Sequence, residues 1–249
     1  MYNEQGVARM VVDDLFATLP GLGVNYEILI VDDGSTDRTP EILRAYGDRI
    51  AVVRHEPNRG VGATFATMLE YARTGGFTHF VFQEGSHKVR ASEIAKVIRA
   101  AEEGDYDYIL GSRFLEAGHA QQTPWRRRSL IYPFSRLFAR LTGFDVTDIT
   151  CGPRMVKMAF WNDALNGFSR YYGYQFEHIM TIWLLHHDAR YRPLAVEIQY
   201  PEERGYSYIN YRNIGQIIQP WLRYSAWRVT GLKRLRPEWL LGRDGKQVV

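Results

Sequence analysis

The chain has 249 residues, a formal net charge of +3, 45% hydrophobic and 24% charged residues. This is ordinary globular usage and excludes a disordered, collagen-like or low-complexity chain. No apolar run approaches the roughly 18 residues that cross a bilayer, and the single cysteine, Cys151, excludes a disulfide framework and a cysteine-rich zinc site.

Ala8, Val11, Val12, Leu15, Phe16 and Leu19 recur at helical spacing, and residues 26–31 form a near-continuous apolar run that predicts a buried strand. Asp37 and Thr39 can cap the next helix, with Pro40 at a favoured first position. A strand over 50–53, a helix over 63–72, a strand over 77–82, a helix over 92–101 and a strand over 108–110 continue the alternation. Strands separated by helices of this length predict an α/β fold, a mostly parallel sheet covered on both faces. Ligands of such sheets bind where loops leave the carboxyl ends of the strands. Beyond Gly111 the pattern changes. A basic, aromatic-rich helix is predicted over 126–142, an apolar helix over 176–185, a late strand over 195–200, and one or two amphipathic helices from 214 to about 232, behind Pro220. No repeat or linker divides the chain. The expected organisation is a domain over 1–210 followed by a basic, aromatic, helical C-terminal extension over 211–249.

Positive charge is concentrated in the second half. Residues 112–140 carry six arginines against one glutamate, and residues 204–249 carry nine Lys or Arg against two acids. Two basic segments with aromatics nearby point to an anionic partner, phosphate, acidic lipid or nucleic acid, although a solvated basic face accounts for them too. No nucleic-acid-binding module accompanies the charge, so no nucleic acid is expected.

The most informative stretch is residues 27–40, EILIVDDGSTDRTP. A buried strand delivers Asp32 and Asp33 to its carboxyl end, and Gly34, Ser35 and Thr36 turn the chain into a capped helix. Carboxylates there can accept hydrogen bonds from a nucleobase or from ribose hydroxyls, and the helix terminus that follows favours anions.

Together with Tyr2-Asn3-Glu4, Asn58-Arg59-Gly60-Val61-Gly62-Ala63, Gly111-Ser112-Arg113 and Asp148-Ile149-Thr150-Cys151-Gly152-Pro153-Arg154, this string resembles the family 2 glycosyltransferases of the GT-A fold, in the dolichol-phosphate mannosyltransferase-like or polyprenyl-phosphate branch. The likeness runs in order from residue 2 to about residue 210. It implies that Tyr2, Glu4, Asp32, Asp33 and Ser35 line the base and ribose pocket of a nucleotide-sugar, and that Asn58, Gly60 and Gly62 make the tight turn beside it. It implies that Arg113, Arg126, Arg127 and Arg128 face the phosphate of the acceptor, with Arg204 of Arg204-Gly205-Tyr206-Ser207 close by. Paired guanidinium donors suit phosphate oxygens. Glu177 falls where the family often places an acid near the acceptor or sugar.

Two departures stand out. The family's Asp-x-Asp metal motif is replaced by Phe82-Gln83-Glu84-Gly85-Ser86-His87-Lys88. One register puts Glu84 and Ser86 at the aspartate places and another puts Phe82 and Glu84 there, so Glu84 alone remains as a carboxylate ligand for Mg²⁺ or Mn²⁺. Either Lys88 or His87 can instead supply positive charge to a departing diphosphate. The family also has a central strand ahead of its Tyr-Asn-Glu, where this sequence has Met1 alone. The expectation is a longer reading frame, with added upstream codons raising the melting temperature.

The implied activity is transfer of a hexose from a UDP- or GDP-linked donor to a polyprenyl phosphate or another membrane-proximal acceptor, with Glu84, Arg113 and Glu177 at the reacting centre. The alternative is a nucleotide-sugar-binding pseudoenzyme that acts as a partner or regulator. Trp221, Trp227, Arg223, Arg228, Lys233, Arg234 and Arg236 combine aromatic and basic character, which suits either peripheral binding at the cytoplasmic face of an anionic membrane or packing onto the domain. The adjacent His186 and His187 lack a partner one turn away and are expected to be structural. The sequence leaves the oligomeric state open.

Overall fold

The computed structural model of the chain describes residues 1–116, 123–161, 173, 175–200, 211–237 and 240. Its elements are α1 (Ala8–Thr18), β1 (Leu29–Asp32), α2 (Thr39–Arg44), β2 (Ala51–Arg54), α3 (Val61–Thr74), β3 (His79–Phe82), α4 (Ala91–Glu103), β4 (Tyr108–Ser112), α5 (Trp125–Thr142), β5 (Arg154–Lys157), α6 (Met158–Trp161), α7 (Gln175–His186), β6 (Tyr191–Ala195) and α8 (Tyr211–Thr230).

The strands form two ladders. β1 and β2 pair in parallel, and a second sheet has the order β3-β5-β4-β6, with β5 antiparallel to both neighbours and β4 parallel to β6. Met1 lies where the two sheets approach. Its amino group donates to the Val31 carbonyl at 2.5 Å and its own carbonyl accepts the Asp33 N–H at 2.8 Å. That pattern is a parallel bridge to Asp32. The Met1 side chain packs on Gly85, just past the end of β3, so closely that a Cβ there would fall 2.4 Å from its Cγ. Among the described residues, no backbone ladder joins β1 to β3 along their length. Helix α3 spans the two sheets instead, with Phe65 against Phe80 and Phe82 at ring-centroid distances of 5.7 and 4.4 Å in the same apolar cluster as Val31.

One expected strand shifts and one strand is new. The strand predicted over 195–200 is β6, four residues earlier, because Tyr191 to Ala195 is the stretch that pairs in register with Tyr108 to Ser112. β5 was not anticipated; Arg154 to Lys157 is a strand because it fills the slot between β3 and β4. The amphipathic segment behind Pro220 is one helix that includes Pro220, and Trp221 is fully buried against Phe134 and Phe138. Helix α8 thereby joins the main core, with Ile217, Trp221 and Tyr224 in its largest cluster.

Candidate active site

The carboxyl ends of β1, β3 and β4 share one rim, since Met1 bridges Asp32 and touches Gly85 while β3 and β4 run in the same direction on either side of β5. Asp32 and Asp33, the segment from Gln83 to Lys88, and Ser112 and Arg113 all leave that rim. Arg154, which opens β5, sits opposite Phe82 and Leu110 at the same level.

Asp33 organises the first loop from inside it. Its Oδ1 accepts the Arg59 N–H at 3.0 Å, its Oδ2 accepts the Gly60 N–H at 2.8 Å, and its carbonyl accepts Asn58 Nδ2 at 2.8 Å. The ring of His55 lies between Asp33 Oδ1 (2.7 Å from Nδ1) and Thr67 Oγ1 (2.8 Å from Nε2). Burial pushes the Asp33 carboxyl up, but the Arg59 N–H, His55 and the Gly60 N–H outweigh it and bring the group below its ordinary range. Gly34, at φ +77°, lets the two loops touch: a Cβ there would lie 2.6 Å from the Asn58 nitrogen. Tyr2-Asn3-Glu4 is laced to the same turn. Asn3 donates its N–H to Ser35 Oγ at 2.9 Å and accepts from the Thr36 N–H at 2.8 Å, and Glu4 donates its N–H to Thr39 Oγ1 at 2.9 Å.

The expected donor pocket is therefore divided. Asp33, Ser35 and Asn58 each bond backbone groups that hold the loops together. Gly60 has φ +85° at the mouth of α3, and Gly62 is buried in its first turn. Asp32 remains as the open acceptor. Its Oδ1 takes the Ser35 N–H at 3.0 Å, while its Oδ2 is buried, makes no hydrogen bond and lies 3.7 Å from Arg54 Nε. A buried carboxylate oxygen in that state calls for a donor. Tyr2 is exposed beside it and Glu4 is half-buried.

Across the rim, Glu84 is exposed and Lys88 half-buried. His87 is turned away, with its Nε2 3.6 Å from Asp14 and accepting from Arg90 at 3.2 Å. Glu177, in the first turn of α7, is ion-paired with the buried Arg154, whose guanidinium also holds the Ile149 and Cys151 carbonyls at 3.3 and 3.0 Å. Burial pushes the Glu177 carboxyl above its usual range; Arg154 pulls against that, and the charge of Glu84 adds to the rise. The last effect brings Glu84 and Glu177 into one neighbourhood.

Arg113 is buried, and its guanidinium grips Asp148, Thr150 and Tyr200. Most of its donors are thus engaged inside the fold. Arg127 lies over the Tyr200 ring at 5.3 Å, Arg126 over Trp125 at 5.5 Å, and Arg128 lines a pocket with Phe114 and Tyr132. The cluster from Arg126 to Arg128 thus stands above the loop that leaves β4. Arg204 and its loop lie outside the described residues. His186 packs on Tyr224 and Trp227, and His187 on Trp183, in an aromatic stack. Sequence reasoning assigned no part to His55, Arg154 or Tyr200. Only the place of His55, directly after a strand, signals its role.

Among the described residues, no group of three or more His, Cys, Asp or Glu converges. The donor set fits a divalent ion only if substrate phosphates and water complete its shell, with Glu84 as the protein's carboxylate and Glu177 near it. Mg²⁺ and ions like it are commonly held in that manner.

Helices covering strands whose carboxyl ends share one rim are the architecture of the GT-A fold. Solved structures agree on the fold. The chain is similar to glucosyl-3-phosphoglycerate synthase from Mycobacterium tuberculosis (TM-score 0.62, 15% identity, 92% of this chain and 77% of that one) and to mannosyl-3-phosphoglycerate synthase from Rubrobacter xylanophilus (TM-score 0.65, 16% identity, 98% and 74%). The chain belongs to glycosyl transferase family 2, whose model matches residues 1–163. Curated relatives include a polyprenol monophosphomannose synthase from Mycolicibacterium smegmatis, 28% identical over 61% of this chain and 57% of its own length. Another is an undecaprenyl-phosphate 4-deoxy-4-formamido-L-arabinose transferase from Edwardsiella ictaluri, 31% identical over 61% and 45%. The chain thus spans about half the length of these two relatives.

Proposed function

We propose that the chain transfers a hexose from a nucleoside diphosphate sugar to a polyprenyl phosphate at a membrane surface. The observation that carries this reading is the buried Asp32 Oδ2 without a hydrogen-bond partner, on the same rim as Glu84 and the basic start of α5. Asp32 accepts from the base or ribose, the loop clamped by Asp33 shapes the nucleoside pocket, and Arg126, Arg127 and Arg128 draw the acceptor phosphate toward the rim. Relatives named as polyprenol and undecaprenyl-phosphate transferases support the acceptor class. A synthase of the same fold crystallised with Mn²⁺ and UDP supports the donor class and the ion.

The phosphate oxygen of the acceptor attacks the anomeric carbon, a carbon–oxygen bond forms there, and the bond to the diphosphate breaks with its electron pair leaving on the nucleotide. In-line geometry inverts the anomeric centre. The attacking oxygen is already anionic, so no side chain need remove a proton, and Glu177 serves to orient the site. Glu84 would hold a divalent ion, which when bound would offset charge on the leaving diphosphate. Lys88 adds a positive charge on the same side.

A thermal-shift screen of UDP and GDP with and without Mn²⁺, followed by turnover of the matching hexose donor with a short-chain prenyl phosphate, tests the reading. A shift with one nucleotide and transfer to the prenyl phosphate is the expected result. The degenerate Asp-x-Asp stretch favours the second reading, a binding protein without catalysis; a nucleotide shift with no transfer to any prenyl phosphate establishes it.

A further inference from the structure

Helices α5 and α8 pack side by side through Phe134, Phe138 and Trp221. Residues 125–142 and 211–236 contain five and six Lys or Arg respectively and no Asp or Glu. Helix α5 turns Ser135, Phe138 and Thr142 to the core. Its opposite side presents Trp125, Leu130, Tyr132 and Leu137 among Arg126, Arg128, Arg136 and Arg140. Trp125 is 69% exposed and Leu130 72%, while on α8 Leu222 is 52% and Val229 78% exposed. Outside these two helices the described chain leaves only Tyr2, Met10, Val52, Leu115 and Leu232 open among large hydrophobic residues. A pocket of about 390 Å³ opens on the same side, lined by Phe114, Trp125, Arg128, Ser129, Tyr132 and Pro133, of which Arg128 alone is charged.

We infer that the outward faces of α5 and α8 form a docking surface for an anionic lipid leaflet, an inference that rests on the acceptor reading above and assigns it a place on the molecule. A nucleic acid would be met by the cations but gains nothing from leucines and valine. A bilayer interface takes both, with aromatics and aliphatics at the headgroup boundary and arginines against acidic headgroups. No described helix is long and apolar enough to cross a membrane; α5 and α8 would meet the leaflet along their lengths, in the plane of its surface. Helix α5, and not the tail helix with its buried Trp221, carries most of the face. Its first turn also holds Arg127 over Tyr200, whose hydroxyl accepts from Arg113 at the rim. A lipid-borne phosphate would reach the arginines without leaving its leaflet.

Co-sedimentation of the full chain with vesicles of phosphatidylcholine, with and without phosphatidylglycerol, tests the inference. Binding to the anionic vesicles should be at least about tenfold tighter and should weaken with salt. Leu130→Gln/Leu137→Gln and Arg136→Gln/Arg140→Gln should each lower that binding about tenfold, with the melting temperature and the UDP or GDP shift unchanged. Equal binding to both vesicle types, or full binding by both double variants, overturns the docking surface. The two proposals fail separately. Turnover of a detergent-dispersed prenyl phosphate without vesicle binding refutes docking alone, whereas variant-sensitive vesicle binding without turnover of any prenyl phosphate supports docking and refutes the acceptor.

Discussion

Arg113 grips both carboxylate oxygens of Asp148, Nε to Oδ2 at 2.7 Å and Nη2 to Oδ1 at 2.8 Å, with both side chains buried. Two motifs 35 positions apart in the chain are thus a single interaction. The same guanidinium donates to Thr150 Oγ1 and to the Tyr200 hydroxyl, each at 2.6 Å. It fastens the loop leaving β4 to the loop entering β5, and through Tyr200 it supports Arg127.

Removing one partner strands a buried charge. Arg113→Met or Asp148→Asn should cost about 3–5 kcal/mol in urea unfolding, and Arg113→Met/Asp148→Leu should recover much of that loss, since an apolar pair of similar size replaces the ion pair at little cost. A single-variant cost below about 1 kcal/mol would mean that water reaches the pair.

His55 acts through Asp33, so its replacement should loosen the nucleoside loop without touching a reacting atom. His55→Phe removes the bonds to Asp33 and Thr67. A loss of about 1–3 kcal/mol in stability is expected for the unsatisfied partners. Steady-state kinetics should show a raised donor KM and a nearly constant kcat; a fall in kcat alone would assign His55 a different role.

The acidic strand end and the glycines of the first loop were legible because each is a local pattern. A continuous apolar run ends in Asp32-Asp33, and Gly34 and Gly60 stand where the chain needs positive φ. What escaped depends on distant partners. Four residues from Arg154 to Lys157 carry no period of their own and become β5 only between β3 and β4. That Arg113 pairs with Asp148 is also invisible until the two loops fold together. The amphipathic pattern of α8 likewise shows that one face is apolar without showing that Phe134 and Phe138 cover Trp221.

His178 should make the fold sensitive to acid. It lies between Phe134, Phe138 and Trp221, where burial and then the charge of Arg154 hold its ring at a pKa of about 3. An unfolded histidine titrates near 6.5, so between about pH 6.5 and 3 the unfolded chain binds a proton that the folded chain refuses. Stability should therefore decline as pH falls through that window, by about 1.4 kcal/mol for each pH unit. Asp33, whose folded pKa is depressed, adds its own loss only below about pH 4. Urea unfolding from pH 8 to 4 should show the slope in the native protein and a flatter limb in His178→Phe; parallel curves would mean that the ring is hydrated.

Glu84 and Lys88 make opposite predictions about the leaving diphosphate. If Glu84 shares a divalent ion with the donor, EDTA abolishes transfer, Mn²⁺ restores it, and Glu84→Gln raises the Mn²⁺ midpoint about tenfold, the weight of one carboxylate among so few protein ligands. The midpoint is also readable without catalysis, as the Mn²⁺ dependence of the nucleotide thermal shift. If the ammonium of Lys88 carries the charge, EDTA leaves transfer intact and Lys88→Met removes it, a loss of about a hundredfold being the scale for one well-placed donor to developing charge. Glu84 is the exposed carboxylate placed to take the ion, since Glu177 is already paired with Arg154. Transfer that survives EDTA in the native protein would overturn that assignment.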